Sequence, residues 1–217
     1  MENEVKVLVP GDSWDVLVTE AGLQGEGEPQ QVWFFDTADR QLLANGVVLR
    51  ARVGARFDTT VKLRAVGGDP LPDAVAALVD RDGAKDENDC TADVCTRAVS
   101  LKAKLKVSET PKRLAWFTAA QLGLLDAGGV SVPWGELRRF GPIRSAVYED
   151  VRPALDVTRW EIEGEVLVEV SSRAEGDWKQ AYADLVALLA AWKLPTAGLP
   201  GGKTAWALER LDGTPER

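Results

Sequence analysis

Charged residues recur at every second position along this chain, and within each such stretch they are nearly pure in sign. Glu2, Glu4 and Lys6 alternate with Val5, Val7 and Val9. Leu49-Arg50-Ala51-Arg52-Val53, Val61-Lys62-Leu63-Arg64 and Leu101-Lys102-Ala103-Lys104-Leu105-Lys106-Val107 repeat the pattern with bases. Trp160-Glu161-Ile162-Glu163 and Val168-Glu169-Val170 repeat it with carboxylates. Residues two apart share one face of a strand, so each stretch reads as a strand with an apolar and an ionic side. Like charges at that spacing lie roughly 7 Å apart and repel. A polyanion with a divalent cation turns that repulsion into a binding site. If the apolar faces pack outward on helices, the ionic faces line a central space, which is a barrel turned inside out.

Strands are expected at Glu2–Val9, Gln31–Asp36, Val47–Val53, Arg56–Ala65, Arg97–Val107, Leu137–Glu149, Val157–Glu163 and Glu165–Ser172. Helices are expected from Asp12 or Ser13 to Ala21, over Leu71–Val79, over Phe117–Ala127 with Gly128-Gly129 closing it, over Asp177–Trp192 and over Gly202–Leu211. The segment Asp80–Thr96 is charged without clear period and reads as a loop. No internal repeat or linker divides the sequence, so residues 1–217 are read as one α+β domain.

Histidine is absent. That excludes Ser-His-Asp and Cys-His catalysis and histidine-ligated zinc, and leaves oxygen ligands for any metal. The net charge of −8 argues against a nucleic-acid partner. No apolar run is long enough to span a membrane, and no leader-like segment precedes the first strand. A cytoplasmic location is expected, with Cys90 and Cys95 as reduced thiols. The segment Ala197-Gly-Leu-Pro-Gly-Gly-Lys203-Thr204 fits a loose phosphate-loop pattern. It follows a helix and precedes only a short tail, so that reading is rejected. The eight tryptophans read as core rather than as base-stacking platforms.

Glu2-x-Glu4-x-Lys6 resembles the ExExK signature of the CYTH group of triphosphate tunnel metalloenzymes, which includes triphosphatases and class IV adenylyl cyclases. Trp33-Phe34-Phe35-Asp36-Thr37, Leu42-Leu43, Gly46 and Leu49-Arg50-x-Arg52 resemble that family's second block, with Phe in place of the usual Tyr. Lys62 follows where the family keeps a lysine, Glu169 falls in its late acidic strand, and Lys203 resembles its lysine near the end of the fold. Ser171 departs from the pattern, standing where the late Glu-x-Glu pair has its second acid. Glu161 or Glu163 is a candidate to supply it, and Lys85-x-Glu87-x-Asp89 is another source of acid.

The resemblance implies an eight-stranded antiparallel β-barrel, or tunnel, with a charged interior and helices packed outside. It implies a small-molecule triphosphate as substrate, with Mg2+ or Mn2+ as cofactor. Glu2, Glu4, Glu163 and Glu169 are the metal candidates, and Glu2, Glu4 and Lys6 the catalytic ones. A triphosphate carries about four negative charges and calls for several fixed cations. Lys6, Arg50, Arg52, Lys62, Arg64, Lys102, Lys104, Arg144 and Lys203 are the phosphate-binding candidates. Plainer readings stand beside these: a solvated strand face for Glu2, Glu4 and Lys6 taken alone, and a lysine-protected sheet edge for Lys102, Lys104 and Lys106. Glu87 and Asp89 read as a solvated loop, and Asp36 and Thr37 as a turn cap. Metal-dependent hydrolysis of a triphosphate is the leading expectation. An adenylyl cyclase and a non-catalytic polyphosphate or nucleotide binder stay open, as does the oligomeric state, a homodimer included.

Overall fold

A computed structural model describes residues 2–54, 57–92, 94–104, 116–152, 155–199 and 201–215. The strands are β1 (Glu2–Pro10), β2 (Glu28–Asp36), β3 (Val47–Gly54), β4 (Asp58–Arg64), β5 (Lys85–Thr91), β6 (Val94–Lys104), β7 (Arg138–Arg152), β8 (Leu155–Ile162), β9 (Glu165–Ala174) and the two-residue β10 (Thr214–Pro215). The helices are α1 (Trp14–Ala21), α2 (Gln41–Ala44), α3 (Asp73–Asp82), α4 (Ala119–Ala127), α5 (Trp178–Ala191) and α6 (Gly202–Arg210). No described helix is long and apolar enough to cross a membrane.

Hydrogen bonds order the strands β10-β7-β2-β3-β4-β6-β5-β1-β9-β8, and β8 pairs back with β7. The sheet therefore closes on itself as a ring of nine strands, with β10 attached to β7 outside it. Eight antiparallel strands were expected, and both details need correction. The ninth strand is β5, inside the segment read as a charged loop. Strand directions cannot alternate around an odd ring, so at least one neighbouring pair is parallel and the sheet is mixed. The pairs β1–β9, β9–β8, β8–β7, β3–β4 and β4–β6 are antiparallel.

The chain forms two compact units, residues 1–30, 88–95 and 143–210 in the first and residues 31–87, 96–142 and 211–217 in the second. In the first unit, Val5, Val7 and Val9 of β1 and Val168 and Val170 of β9 pack with Leu17 of α1 and Leu185 and Leu189 of α5. Each such side chain stabilises the fold by about 1.5–3 kcal/mol on burial. Asp177 caps α5 by accepting from the backbone N–H groups of Lys179 and Gln180. Cys90 and Cys95 are joined in a disulfide, which corrects the expectation of free thiols; Cys90 is fully buried in this core.

In the second unit, Leu49 and Ala51 of β3, Val61 and Leu63 of β4 and Val99 and Leu101 of β6 pack with Val75 and Leu78 of α3 and Leu124 and Leu125 of α4. One buried polar group fixes the fit. The Gln121 amide, fully buried, donates to the carbonyls of Thr59 and Leu101, accepts from the Thr59 hydroxyl, and completes a capping box with Thr118. Asp36, 2 % exposed, accepts from the backbone N–H groups of Thr37, Leu42 and Leu43 and so holds α2 against its strand. The turn-cap reading of Asp36 and Thr37 is thus met. Gly46 has φ +73°, and a Cβ there would lie 2.5 Å from the Arg64 carbonyl oxygen. Gly46→Ala should destabilise the fold by about 2–3 kcal/mol, read as a lowered midpoint in urea; an unchanged midpoint would show that the β3 entry relaxes around a side chain.

Candidate active site

Register decides which side chains share a face. In the second unit Arg50 lies opposite Thr60 and Arg52 opposite Asp58. On the other side of β4, Asp58 lies opposite Lys104, Thr60 opposite Lys102 and Lys62 opposite Ser100. Because Leu49, Ala51, Val61, Leu63, Val99 and Leu101 face the helices, alternation puts Arg50, Arg52, Lys62, Arg64, Lys102 and Lys104 together on the opposite face. Six predicted phosphate ligands thus share one side of three neighbouring strands. The sheet-edge reading of Lys102 and Lys104 fails, since β6 lies between β4 and β5; Lys106 lies outside the described residues.

These cations are held in place. Arg52 donates from Nε and Nη2 to the two Asp58 oxygens, both at 2.9 Å, and Asp58 is 1 % exposed. Lys102 Nζ is 3.4 Å from the same carboxylate. Arg50 donates to the Thr60 hydroxyl at 3.2 Å, and Lys62 Nζ is 3.1 Å from Glu87, which also pairs with Lys85. The Lys102 ammonium is pulled below the ordinary lysine value, first by burial and then by the Arg52 charge, with Arg50 adding to it against the opposing pull of Asp58. Like charge crowded beside this ammonium thus disfavours its charged form.

The first unit holds a second charged cluster, built around Lys6. Val5 and Val7 face α5, so Glu4 and Lys6 turn to the other side of β1, with Glu2, half-buried, two residues before Glu4 on that face. Lys6 Nζ is 2.8 Å from Glu4 and 2.6 Å from Asp89, and one oxygen of each acid lies within 4.8 Å of the other. Burial works to lower the Lys6 basicity, but Glu4, Asp89 and Glu169 outweigh it and hold the ammonium well above the ordinary lysine range. Glu169, 8 % exposed, pairs with Lys203 at 2.7 Å, and that ammonium also lies 4.8 Å from the Trp160 ring centroid. Ser171 faces Lys6 across the β1–β9 ladder. It carries no charge there; Asp89 meets the same lysine from β5. Glu4 and Asp89, which flank this ammonium, are hard oxygen donors of the kind that suits Mg2+ or Mn2+.

Two predicted ligands lie elsewhere. Arg144 faces Glu161 on β7 and β8, on the side of Val157 rather than of Trp160, and its side chain is 78 % exposed, with Glu161 at 3.7 Å. Glu161 instead holds Arg159 at 3.0 Å. Glu163 sits in the β8–β9 turn with φ +51° beside Gly164 at +89°, exposed to solvent; its position serves the hairpin. Neither Glu161 nor Glu163 makes good the acid that Ser171 lacks.

Asp58, Glu87 and Asp89 are the residues sequence reasoning passed over or read as loop. Glu87 is 5 % exposed, and both it and Asp89 belong to β5. The signal was present: Lys85-x-Glu87-x-Asp89 repeats the alternation of Glu2-x-Glu4-x-Lys6. The other side of β5 hid it, because Asp86 and Asn88 stand where apolar residues would be expected. Their polarity is satisfied by Arg97, which grips Asp86 at 3.0 and 2.8 Å, and by Asn3, which accepts from Asn88 at 2.8 Å.

No protein-family model and no curated protein matches the sequence. Solved structures do match in fold. A candidate adenylate cyclase from Bacillus halodurans aligns with a TM-score of 0.64 at 15 % identity, over 95 % of this chain and 97 % of that one. HpAC1 from Hippeastrum, a candidate adenylyl cyclase described as having a dominant triphosphatase activity, aligns with a TM-score of 0.61 at 18 % identity, over 94 % of each chain. The chain has the fold of these proteins, in keeping with the motif resemblance to the CYTH group.

Proposed function

We propose that this chain hydrolyses the terminal phosphoanhydride of a linear triphosphate in the presence of Mg2+ or Mn2+. The observation that carries the reading is the shared face of Arg50, Arg52, Lys62, Arg64, Lys102 and Lys104 on β3, β4 and β6. Guanidinium forks match pairs of phosphoryl oxygens, and the lysines add point charge. Six cations on three strands exceed what a mononucleotide phosphate calls for and suit a chain of phosphates.

In this reading Arg50 and Arg52 fix the orientation of the triphosphate, and Lys62 and Lys102 neutralise its remaining charge. Glu4 and Asp89, with Glu2 two residues before Glu4 on β1, would hold the divalent cation, which would supply charge neutralisation. Lys6 keeps the carboxylates together and stays charged at any physiological pH. The attacking water's oxygen bonds to the terminal phosphorus, its proton passes to solvent, the bridging P–O bond breaks, and pyrophosphate and orthophosphate leave.

The test incubates purified protein with inorganic triphosphate and, separately, with ATP, each with MgCl2, MnCl2 or excess EDTA. Orthophosphate release from triphosphate that EDTA abolishes is the expected result. Cyclic AMP and pyrophosphate from ATP, without hydrolysis of triphosphate, would replace the reading with the cyclase one. Tight binding with no product would make the chain a sensor.

A further inference from the structure

Among the described residues, one acid stands on the cationic face of β3, β4 and β6. Alternation places Val48, Arg50 and Arg52 of β3, Asp58, Thr60, Lys62 and Arg64 of β4, and Ala98, Ser100, Lys102 and Lys104 of β6 on that side. Asp58 faces Arg52 on one neighbour and Lys104 on the other, and is the most deeply buried carboxylate of the chain's described residues at 1 % exposure. A buried carboxylate is costly unless its partners are well placed. Here they are: both oxygens engage Arg52, and one also meets Lys102.

The way Arg52 is gripped matters. Asp58 takes the Nε and Nη2 edge, which fixes the plane of the guanidinium and leaves Nη1 out of the bond. The same negative charge lies within 3.4 Å of two groups that would otherwise grip phosphate at full strength. An anion arriving at this face meets cations already aimed and already partly neutralised.

We infer that Asp58 is a resident counter-anion for the phosphate-binding face: it positions Arg52 and weakens the hold on phosphate enough for product to leave. This rests on the triphosphatase reading. Its chemical consequence is specific. A triphosphate still binds because several cations act on it together, whereas the orthophosphate and pyrophosphate products, each with fewer charges, are released.

The experiment compares wild type with Asp58→Asn by calorimetric titration of inorganic triphosphate and of pyrophosphate, and by steady-state kinetics with triphosphate. Asparagine keeps the shape and removes the charge. Asp58→Asn should bind pyrophosphate about tenfold more tightly or better, with KM falling and kcat falling as product lingers. A merely structural role would weaken binding, so a gain in affinity separates the two. Arg52→Gln in the Asp58→Asn background should abolish the gain. In wild type, the Arg52 Nε–H resonance, held on Asp58, should keep its chemical shift on saturation with triphosphate while the Nη protons move. This reading survives a failure of Asp58→Asn to fold. Loss of the Nε–H resonance on binding, or equal or weaker pyrophosphate binding by a folded Asp58→Asn protein, overturns the inference alone. Absence of triphosphate binding by wild type removes the functional reading and this inference with it.

Discussion

Glu4→Gln is expected to lower metal-dependent triphosphate turnover by at least about a hundredfold while leaving the protein folded. The side chain keeps its length and shape, and the amide oxygen can still accept a hydrogen bond from Lys6, now 2.8 Å from the carboxylate. What disappears is one negative charge and one hard anionic donor beside Asp89. An amide oxygen binds a divalent cation far less strongly than a carboxylate does. The variant should therefore need more Mn2+ for half-maximal rate as well as turning over more slowly. The thermal midpoint should move by only a few degrees, because the valine face of β1 is untouched. A variant with full turnover at the wild-type metal requirement would remove Glu4 from the chemistry and shift attention to Asp89 and Glu169.

The second large effect is on stability. Lys6→Met keeps an unbranched side chain of similar length and removes the ammonium that Glu4 and Asp89 share. With the lysine side chain only 15 % exposed, its loss leaves the carboxylates facing one another with little water to relieve them. Breaking such a pair costs about 3–5 kcal/mol, or a fall of about 10 °C in thermal midpoint for a chain of this size. Mn2+ should restore much of the loss in the variant, because a divalent cation can take the place the ammonium held, and should do less for wild type. The pH dependence has a definite sign. The folded state raises the Lys6 basicity above the ordinary lysine value of 10.5, so its contribution is fully present below about pH 10 and is lost as the pH climbs beyond that value. The stability gap between wild type and Lys6→Met should stay level from neutral pH to pH 10 and narrow above it. No destabilisation, together with no response to Mn2+, would show that the acids around Lys6 do not depend on it.

The parts of the molecule that could be read from sequence are those where alternation was clean on both faces. β3 sets Val47, Leu49 and Ala51 against Arg50 and Arg52, and β4 sets Val61 and Leu63 against Lys62 and Arg64, and the two strands pair antiparallel. β5 obeys the same rule on its ionic side, but its other side is satisfied by partners distant in sequence, Arg97 for Asp86 and Asn3 for Asn88. A period-two signal needs contrast between faces, and a strand polar on both has none. That is why the strand with Glu87 and Asp89 reads as a loop from sequence, and why Glu161 and Glu163 stand beside Lys85-x-Glu87-x-Asp89 as sources for the acid missing at Ser171. The β8 assignment erred differently. Its charges alternate, but Arg159 and Glu161 share their side with Leu155 and Val157, packed against the core, so the ionic residues there lie on the wrong face. Alternation reveals a strand with two kinds of face; which of them a helix covers is decided by residues far away in the sequence.

A circle of nine strands cannot be cut into hairpins with none left over. Copying and joining an ancestral two-stranded unit yields even totals, so at least one member of this circle has no twin.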